Sequence, residues 1–398
     1  MLQGKTILLG VTGSIAAYKI ANLASMLVKQ RAEVHVMMTR NACNFITPTT
    51  FETLTGHKCL VDTFDRNFEF KVEHVSLAQK ADLVMIAPAT ANVIGKLAHG
   101  ICDDMLTTTV FASKAPKLVS PAMNTGMWEN QLLQDNLKTL EHYGYSIITP
   151  ASGRLACGDV GCGKMPSEDV LMSHILLHIG KKHDLAGKNI LVSAGPTQEA
   201  IDPVRYITNH SSGKMGYALA KMAVLRGAKV TLVSGPVGIE PFIGIDRVCV
   251  KSASEMYEAM AARSEQADIV VMCSAVADYT PVQYSEQKMK KGTADMSVPL
   301  KRTTDILQTL GAHKRPGQML VGFSMETENL IENSRKKLEK KNADLICANT
   351  IGGGTTGFAV DTNRVTLITS KQVKELPFCS KEQTADLILS HIVEQLKS

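Results

Sequence analysis

Hydroxyl and glycine residues follow several apolar runs of this sequence at positions where a phosphate group could bind. Gly13 and Ser14 come directly after the first run, and residues 15–29 then repeat apolar side chains at helical spacing. Backbone N–H groups at a helix start, with the positive end of the helix dipole, can hold a phosphate. Because these residues do not complete a Gly-x-Gly-x-x-Gly fingerprint, a plain strand-to-helix turn is an open alternative. The first half offers six candidates of this kind: Gly13, Ser14, Thr39, Pro88, Thr90 and Asn92.

Three further side chains of the first half could take part in acid–base chemistry. His74 could be a base, or instead a helix-capping or interface residue, and Asn124 lies in a segment that could equally be a tight turn. Cys157 lies in the glycine-rich stretch 153–166, which predicts a mobile, irregular loop that could act as a flap. A thiol on such a flap could donate a proton or act as a nucleophile. Zinc is disfavoured because Cys157 and Cys162 lack a second pair of ligands.

The second half contains a comparable set of polar residues. Residues 211–214 could form a phosphate-binding loop without the Walker spacing, or a loop that caps a helix. Asp278 follows the strand pattern of residues 269–273 and places a carboxylate at a strand end. Lys288 belongs to a lysine-rich segment, which is either solvated surface or, beside Asp278, a clamp for a triphosphate.

The elements that must position these residues form an internal repeat. Residues 2–13 and 185–196 each combine a polar lead-in, a short apolar run and a glycine-containing turn. This pattern is typical of a buried parallel strand followed by a nucleotide-binding helix. Two further pairs of segments repeat in the same order: 32–39 with 228–235, and 81–88 with 267–274.

The repeat predicts an α/β protein with two Rossmann-like, doubly wound domains, residues 1–188 and 189–398. In the second domain, residues 197–211 are inserted between the first strand and the first helix. Doubly wound sheets bind ligands outside the carboxyl ends of their strands. We therefore expect the polar turns, and this insertion, to lie at ligand sites.

Composition disfavours several classes of protein. Of 398 residues, 44% are hydrophobic and 20% charged, and no apolar run approaches the length of a membrane span. A net charge of +5 and an aromatic content of 5% suit anionic small molecules rather than nucleic acid. Nine scattered cysteines predict free thiols in a reducing compartment, and the sequence starts without a signal region. We therefore expect a cytoplasmic protein.

The first half resembles the flavin-dependent decarboxylases that act on 4′-phosphopantothenoylcysteine. The resemblance implies that the six phosphate-binding candidates hold FMN, that His74 is a base or polar organiser, that Asn124 holds the substrate carboxylate and that Cys157 donates a proton. It also implies that FMN oxidises the CH₂–SH group of the substrate, that CO₂ then leaves, and that the resulting enethiol is reduced. The matching stretches are 10–19, His74, 88–92, 121–128 and 153–166.

The second half resembles the phosphopantothenate–cysteine ligases, in stretches 193–197, 207–216, 275–278, 288–291, 322–327 and 344–349. The resemblance implies that CTP converts 4′-phosphopantothenate to an acyl-cytidylate, which the amine of cysteine then attacks. Lys288 would stabilise charge in the first step, and Asn209 would serve the acyl-cytidylate and its breakdown. Mg²⁺ would be held mainly by the phosphates of CTP. The implied CTP contacts are Ser274, Ala275, Asp278, Lys288, Thr304, Asp305, Ile306, Leu307, Phe323, Lys337 and Lys341.

One departure from the ligase pattern lies next to Phe323. Ser324 and Met325 stand where the family usually has two alanines. They bear on the local shape of the pocket and not on the reaction.

Together the two resemblances predict a bifunctional enzyme of coenzyme A biosynthesis that forms 4′-phosphopantothenoylcysteine and decarboxylates it to 4′-phosphopantetheine. The alternatives are a peptidyl-cysteine decarboxylase of the same superfamily and a non-catalytic flavin-binding regulatory protein. The joint presence of Cys157, Asn209 and Lys288 argues against the regulatory protein, because binding alone needs none of them. The resemblance also implies a homo-oligomer, in which decarboxylase trimers share flavin sites and ligase dimers join trimers into a dodecamer.

Overall fold

The protein divides into two compact units, Met1–Lys181 and Lys182–Ser398. The computed structural model describes residues 1–63, 73–156, 158–290, 297–326, 329–350 and 360–397. Each unit is built around its own parallel β-sheet.

The first unit contains a five-stranded parallel sheet in the order β2-β1-β3-β4-β5. Every residue of β1 and β3 is buried, and because successive strand residues face opposite sides, both faces of the sheet are covered. The strands of this sheet are β1 (Thr6–Val11), β2 (Glu33–Met38), β3 (Leu83–Ala89), β4 (Lys117–Pro121) and β5 (Tyr145–Ile147). Two further strands of the unit, β6 (Ala151–Arg154) and β7 (Val160–Lys164), pair with each other. Its α-helices are α1 (Ala17–Lys29), α2 (Pro48–Thr55), α3 (Glu73–Lys80), α4 (Ala91–Ala98), α5 (Met105–Ala112), α6 (Thr125–Trp128), α7 (Gln131–His142) and α8 (Glu168–Ile179).

The first helix begins later than its sequence pattern predicts. We expected a helix from residue 15, with Ser14 at its N-terminal end, but α1 begins at Ala17. The N–H of Ala17 donates to the carbonyl of Ser14 at 2.9 Å, so Ser14 belongs to the turn that precedes the helix.

Part of the glycine-rich stretch 153–166 forms the paired strands of a β-hairpin, so the predicted irregular loop is wrong for residues 153–154 and 160–164. Strands β6 and β7 pair antiparallel, and the N–H of Met123 donates to the carbonyl of Gly163 at 3.0 Å. A Cβ atom added at Gly163 would lie 2.3 Å from the Met123 carbonyl oxygen, and one added at Gly161 would lie 2.3 Å from Thr125 Oγ1. These glycines therefore let the hairpin pack closely on the segment that starts α6.

The second unit contains an eight-stranded sheet in the order β12-β11-β8-β13-β16-β17-β19-β20, in which β19 and β20 are antiparallel to their neighbours. Its strands are β8 (Asn189–Ala194), β9 (Gln198–Ala200), β10 (Tyr206–Thr208), β11 (Lys229–Ser234), β12 (Ile245–Cys249), β13 (Ile269–Met272), β14 (Tyr279–Pro281), β15 (Leu300–Arg302), β16 (Met319–Glu326), β17 (Leu345–Thr350), β18 (Thr362–Asn363), β19 (Val365–Ile368), β20 (Val373–Glu375) and β21 (Cys379–Ser380). Its helices are α9 (Lys214–Leu225), α10 (Ala253–Ser264), α11 (Ile306–Ala312), α12 (Leu330–Lys340) and α13 (Lys381–Lys397).

The second unit repeats the start of the first, as the sequence predicts. Strand β8 pairs in parallel with β11 and β13, just as β1 pairs with β2 and β3. The inserted segment 197–211 contains the hairpin β9–β10. The predicted fold class of two doubly wound α/β domains is confirmed. Among the helices of the described residues, none has the length and apolar character needed to span a membrane.

Candidate functional sites

A polar cleft of about 670 Å³ lies where β1, β2 and β3 end in the first unit. The chain leaves β1 towards β2 on one side and later places β3 on the other side, so β1 and β3 flank a topological switch point. Residues that follow each of these strands line the cleft, among them four of the predicted flavin residues: Gly13, Thr39, Thr90 and Asn92. The other two, Ser14 and Pro88, adjoin these turns but do not line the cleft.

Thr12 joins the two strand ends beside this cleft, and sequence reasoning missed it. Its side chain is fully buried, its hydroxyl donates to the carbonyl of Pro88 at 2.6 Å, and it accepts from the N–H of Thr90 at 3.0 Å. Thr90 in turn caps α4, with its Oγ1 accepting from the N–H of Val93 at 3.5 Å. The first N–H groups of a helix have no partner within it. Thr12 therefore fixes a helix start whose N–H groups could bind an anion.

The charged groups of the cleft are already paired. Lys96 donates to Asp103 at 2.7 Å and to Asp104 at 3.1 Å, and Arg40 pairs with Asp62 at 2.6 Å. Partial burial opposes the charge of Lys96, but its two carboxylate partners outweigh this effect and raise its pKa. Neutral hydroxyl and N–H donors are therefore the main groups with which this cleft could hold a phosphate.

The three residues predicted for acid–base chemistry differ in their relation to this cleft. Asn124 caps α6 with its Oδ1, which accepts from the N–H of Met127 at 2.8 Å, and Met127 lines the cleft. His74 is half-buried on α3 and is not among the residues that line the cleft. Cys157 lies outside the described residues.

A larger cavity of about 1020 Å³ lies in the second unit, at the carboxyl ends of its central strands. Asn209 and nearly all the predicted nucleotide contacts line it: Ser274, Ala275, Asp278, Thr304, Asp305, Ile306, Leu307, Phe323, Lys337 and Lys341. Lys288 is the exception, since it is exposed and does not line the cavity.

Hydrogen bonds between strand ends shape this cavity. Ser193 is fully buried, and its Oγ accepts from the N–H groups of Cys273 at 3.1 Å and Ser274 at 3.2 Å. Asn209 donates from Nδ2 to the carbonyls of Ala275 at 3.3 Å and Val276 at 3.0 Å. The insertion that carries Asn209 is thereby held against the loop after β13. Sequence reasoning did not identify Ser193 as a positioning residue.

Positive charge predominates among the groups that line the cavity. Six cationic residues, Lys214, Arg302, Lys337, Lys340, Lys341 and Lys381, face two carboxylates, Asp278 and Asp305. Asp305 pairs with Lys341 and caps α11 by accepting from the N–H of Gln308 at 3.0 Å. Burial opposes ionisation of Asp305, but these interactions outweigh it and lower its pKa. A cavity with this balance of charge favours a polyanion such as a nucleoside triphosphate.

A buried amide oxygen without a partner also lines the cavity. Oδ1 of Asn349, at the end of β17, is inaccessible to solvent and accepts no hydrogen bond from the described residues. Burying such an oxygen costs roughly 1–3 kcal/mol. This oxygen could therefore accept a hydrogen bond from a donor group on a bound ligand.

Ser324 and Met325 both line this cavity, next to Phe323. Ser324 is 5% exposed, and its hydroxyl forms a 3.0 Å hydrogen bond with the hydroxyl of Ser334 on α12. The side chain of Ser334 is fully buried. The hydroxyl of Ser324 is therefore satisfied by a neighbouring helix.

The segment that carries Lys288 is anchored to the inserted hairpin. Asp202 is buried and accepts from the N–H of Met289 at 3.2 Å and from both Nε and Nη2 of Arg205. Arg205 also donates to the carbonyl of Met289 at 2.6 Å. The guanidinium of Arg205 and the surrounding N–H groups hold the pKa of Asp202 well below its usual range. An ionised, fully bonded Asp202 thus fixes the backbone next to Lys288.

The fold and the two polar sites define a two-domain α/β protein with a candidate nucleotide site in each domain. Residues 1–180 match the family model described as Flavoprotein, and residues 185–396 match that of the DNA/pantothenate metabolism flavoprotein C-terminal domain.

Curated relatives match almost the whole chain. It is 45% identical over 396 residues to a coenzyme A biosynthesis bifunctional protein CoaBC of Bacillus subtilis, covering 98% of this chain and 97% of that protein. It is 41% identical over 395 residues to the Escherichia coli K12 protein of the same name, with the same coverage. A crystal structure of the C-terminal domain of a CoaBC protein is 43% identical and covers 54% of this chain and 99% of that one, with a TM-score of 0.47. The chain belongs to the CoaBC family of coenzyme A biosynthesis bifunctional proteins.

Proposed function

We propose that this chain catalyses two consecutive steps of coenzyme A biosynthesis. Residues 189–398 join 4′-phosphopantothenate to cysteine with CTP, and residues 1–188 decarboxylate the product to 4′-phosphopantetheine. The supporting observation is the 45% identity to a bifunctional protein of this pathway over 98% of the chain. A flavin-binding regulatory protein or a peptidyl-cysteine decarboxylase would leave the match of residues 185–396 unexplained.

In the ligase step, the cationic lining of the larger cavity would bind the triphosphate of CTP. Mg²⁺ would offset further phosphate charge, held mainly by the phosphate oxygens. Lys288 would supply positive charge as the substrate carboxylate attacks the α-phosphate, and Asp202 and Arg205 would hold its segment. Because Nδ2 of Asn209 is engaged with two carbonyls, its Oδ1 is the atom that would accept a hydrogen bond from the attacking amine of cysteine.

The smaller cleft fits the phosphate end of a flavin mononucleotide. It lies at the switch point between β1 and β3, where folds with this strand order bind FMN. Gly13 lets the turns after β1 and β2 pack closely at this cleft, since a Cβ added to it would lie 2.7 Å from Cβ of Asn41. We assign FMN to the turns carrying Gly13, Ser14, Thr39, Pro88, Thr90 and Asn92.

In the decarboxylation step, bound FMN would supply a two-electron oxidation of the substrate and its reversal. The cap on α6 engages Oδ1 of Asn124, so its Nδ2 is the donor that would hold the substrate carboxylate. His74 would accept the proton of the substrate thiol. Cys157 would donate a proton to carbon in the last step.

We further propose a cytoplasmic homo-oligomer in which decarboxylase trimers share flavin sites and ligase dimers join the trimers into a dodecamer. The cytoplasmic location is supported by the free thiols of the described residues. The oligomer is supported by family resemblance, and by the observation that His74 does not line the cleft of its own chain.

The proposal is tested by incubating the protein with 4′-phosphopantothenate, cysteine, Mg²⁺ and either CTP or ATP, with products followed by mass spectrometry. We expect 4′-phosphopantetheine with CTP. Cys157→Ser should retain flavin and the ligase step but slow the final product by roughly 100-fold or more. Cys102→Ser, at an exposed cysteine, is the matched control and should behave as the parent protein. Flavin-containing protein that forms no product with either nucleotide would overturn the assignment.

A further inference from the structure

Two histidines and a glutamate meet in the first unit, outside the residues that line its cleft. Glu33 and His35 belong to β2, and His57 follows α2. Nε2 of His35 lies 2.9 Å from Oε1 of Glu33, and the rings of His35 and His57 stack with centroids 4.3 Å apart and an interplanar angle of 26°. One ligand atom from each of the three residues lies within 4.8 Å of the other two.

Local structure brings the three side chains together. Glu33 and His35 are two residues apart on a strand and so point to the same face of the sheet. Gly56, at φ +72°, ends α2 in the left-handed conformation and turns the chain so that His57 reaches His35. Thr6 on β1 donates to Oε2 of Glu33 at 3.3 Å, which holds the carboxylate while Oε1 faces His35. The cluster is thus held by β1, β2 and the turn after α2.

We propose that Glu33, His35 and His57 bind one divalent transition-metal cation, with Zn²⁺ as the probe. Two imidazole nitrogens and one carboxylate oxygen form a common three-ligand zinc set, in which water completes the coordination. Mg²⁺ and Ca²⁺ prefer oxygen ligands and are excluded by this donor set. Metal–ligand bonds of about 2.0–2.2 Å require ligand atoms roughly 3.3–3.6 Å apart, so the side chains would have to adjust from their present separations of 2.9 to 4.8 Å.

The electrostatics of the cluster suit a metal ligand set, although one nearby charge opposes it. Burial and the neighbouring His57 lower the pKa of His35 despite the opposing effect of Glu33. The hydrogen bond to His35 lowers the pKa of Glu33, which keeps that carboxylate ionised. The charge of Lys80, an exposed side chain, acts on both residues and repels a cation. This repulsion should weaken cation binding, more strongly at low ionic strength.

The test uses untagged, full-length, flavin-containing protein freed of metal with a chelator. Zn²⁺ is titrated by calorimetry and against a chromophoric chelator, and Co²⁺ binding is followed by its ligand-field absorption. We expect one equivalent of Zn²⁺ and a Co²⁺ spectrum without a thiolate charge-transfer band, which separates this site from the cysteines. His57→Gln and Glu33→Gln should each weaken binding at least tenfold.

His99→Gln is the control because His99 is an exposed histidine of the same unit, whose ring hydrogen-bonds the carbonyl of Gly95. It should bind Zn²⁺ as the parent does. Flavin content and the circular dichroism of each variant establish that it is folded. Unchanged binding in folded His57→Gln, or no binding by the parent protein, would overturn the proposal.

Discussion

The hydroxyl of Thr12 forms two buried hydrogen bonds that join the ends of β1 and β3 at the predicted flavin cleft. Thr12→Val keeps the shape of the side chain but leaves the carbonyl of Pro88 and the N–H of Thr90 without this partner. We expect a loss of roughly 1–3 kcal/mol in the free energy of unfolding, together with faster release of flavin. Denaturant titration and flavin fluorescence measure the two effects, and Thr12→Ser should restore both. A Thr12→Val protein as stable as the parent would show that the hydrogen bonds contribute nothing.

His391 predicts a pH dependence of the stability of the second unit. It is 2% exposed on α13, and neither ring nitrogen has a hydrogen-bond partner among the described residues. Burial, with the charge of Lys374, lowers its pKa, while Glu394, 3.8 Å away, opposes this. Since the unfolded chain binds the proton more readily, the stability contributed by neutral His391 is present above about pH 6.5 and is lost as the pH falls through the folded pKa.

His391→Leu should remove this part of the pH dependence. Between pH 7.5 and pH 5, we expect the variant to lose less stability than the parent, by about 1 kcal/mol for each unit by which the folded pKa is lowered. Urea titrations at the two pH values measure the difference, and His313→Leu, at an exposed histidine, is the control. Equal losses in parent and His391→Leu would mean that His391 is not the titrating group.

Sequence reasoning found most of the polar residues in turns, although not Thr12, and it missed Ser193 within a strand. Gly13, Thr90, Ser274 and Asp278 follow apolar runs, so their position at a strand end could be predicted. Ser193 lies within an apolar run, where the sequence alone does not distinguish it from a small residue that only fills space in the core. Its partners, Cys273 and Ser274, are distant in sequence, and only the order of strands in the sheet brings them together.

The β6–β7 hairpin shows how glycines can specify close packing rather than mobility. Gly163→Ala would place a methyl group 2.3 Å from the carbonyl oxygen of Met123, at a φ of +130° that side chains disfavour. We expect the hairpin to shift away from Asn124, with decarboxylation slowed at least tenfold and flavin retained. Gly153→Ala, at a φ of +152° in the same hairpin, meets no atom closer than 3.9 Å and controls for backbone strain. Equal rates in the two variants would contradict a role for the close contact.

The secondary structure was predictable where one pattern dominated. Short apolar runs predicted β1 and β8, and the repeat correctly predicted the parallel neighbours of each. Glycine-rich sequence was misleading because the same residues favour a loose loop or a tight packing contact, and only the position of Met123 distinguishes the two. The start of α1 was also misplaced, since residues 15 and 16 continue the apolar pattern while the backbone is still in the turn.

Each unit contains its own polar site, so the two proposed reactions can be abolished separately in the whole protein. Every residue lining the smaller cleft belongs to Met1–Lys181, and every residue lining the larger cavity belongs to Lys182–Ser398. A substitution in one site should therefore spare the other reaction. Lys288→Ala should decarboxylate supplied 4′-phosphopantothenoylcysteine normally, and Cys157→Ser should form it normally.

A mixture of these two inactive variants should then make 4′-phosphopantetheine from 4′-phosphopantothenate, cysteine and CTP. The intermediate is a small anionic molecule, so it can leave the Cys157→Ser protein and bind the flavin site of the Lys288→Ala protein. Product should appear after a lag, as the intermediate accumulates, and its final rate should rise with the concentration of Lys288→Ala protein. Lys288→Ala protein alone, given the same substrates, controls for residual ligase activity. If Lys288→Ala protein converts supplied intermediate but the mixture forms no product, the intermediate does not pass freely between molecules, and the two reactions are coupled within one assembly.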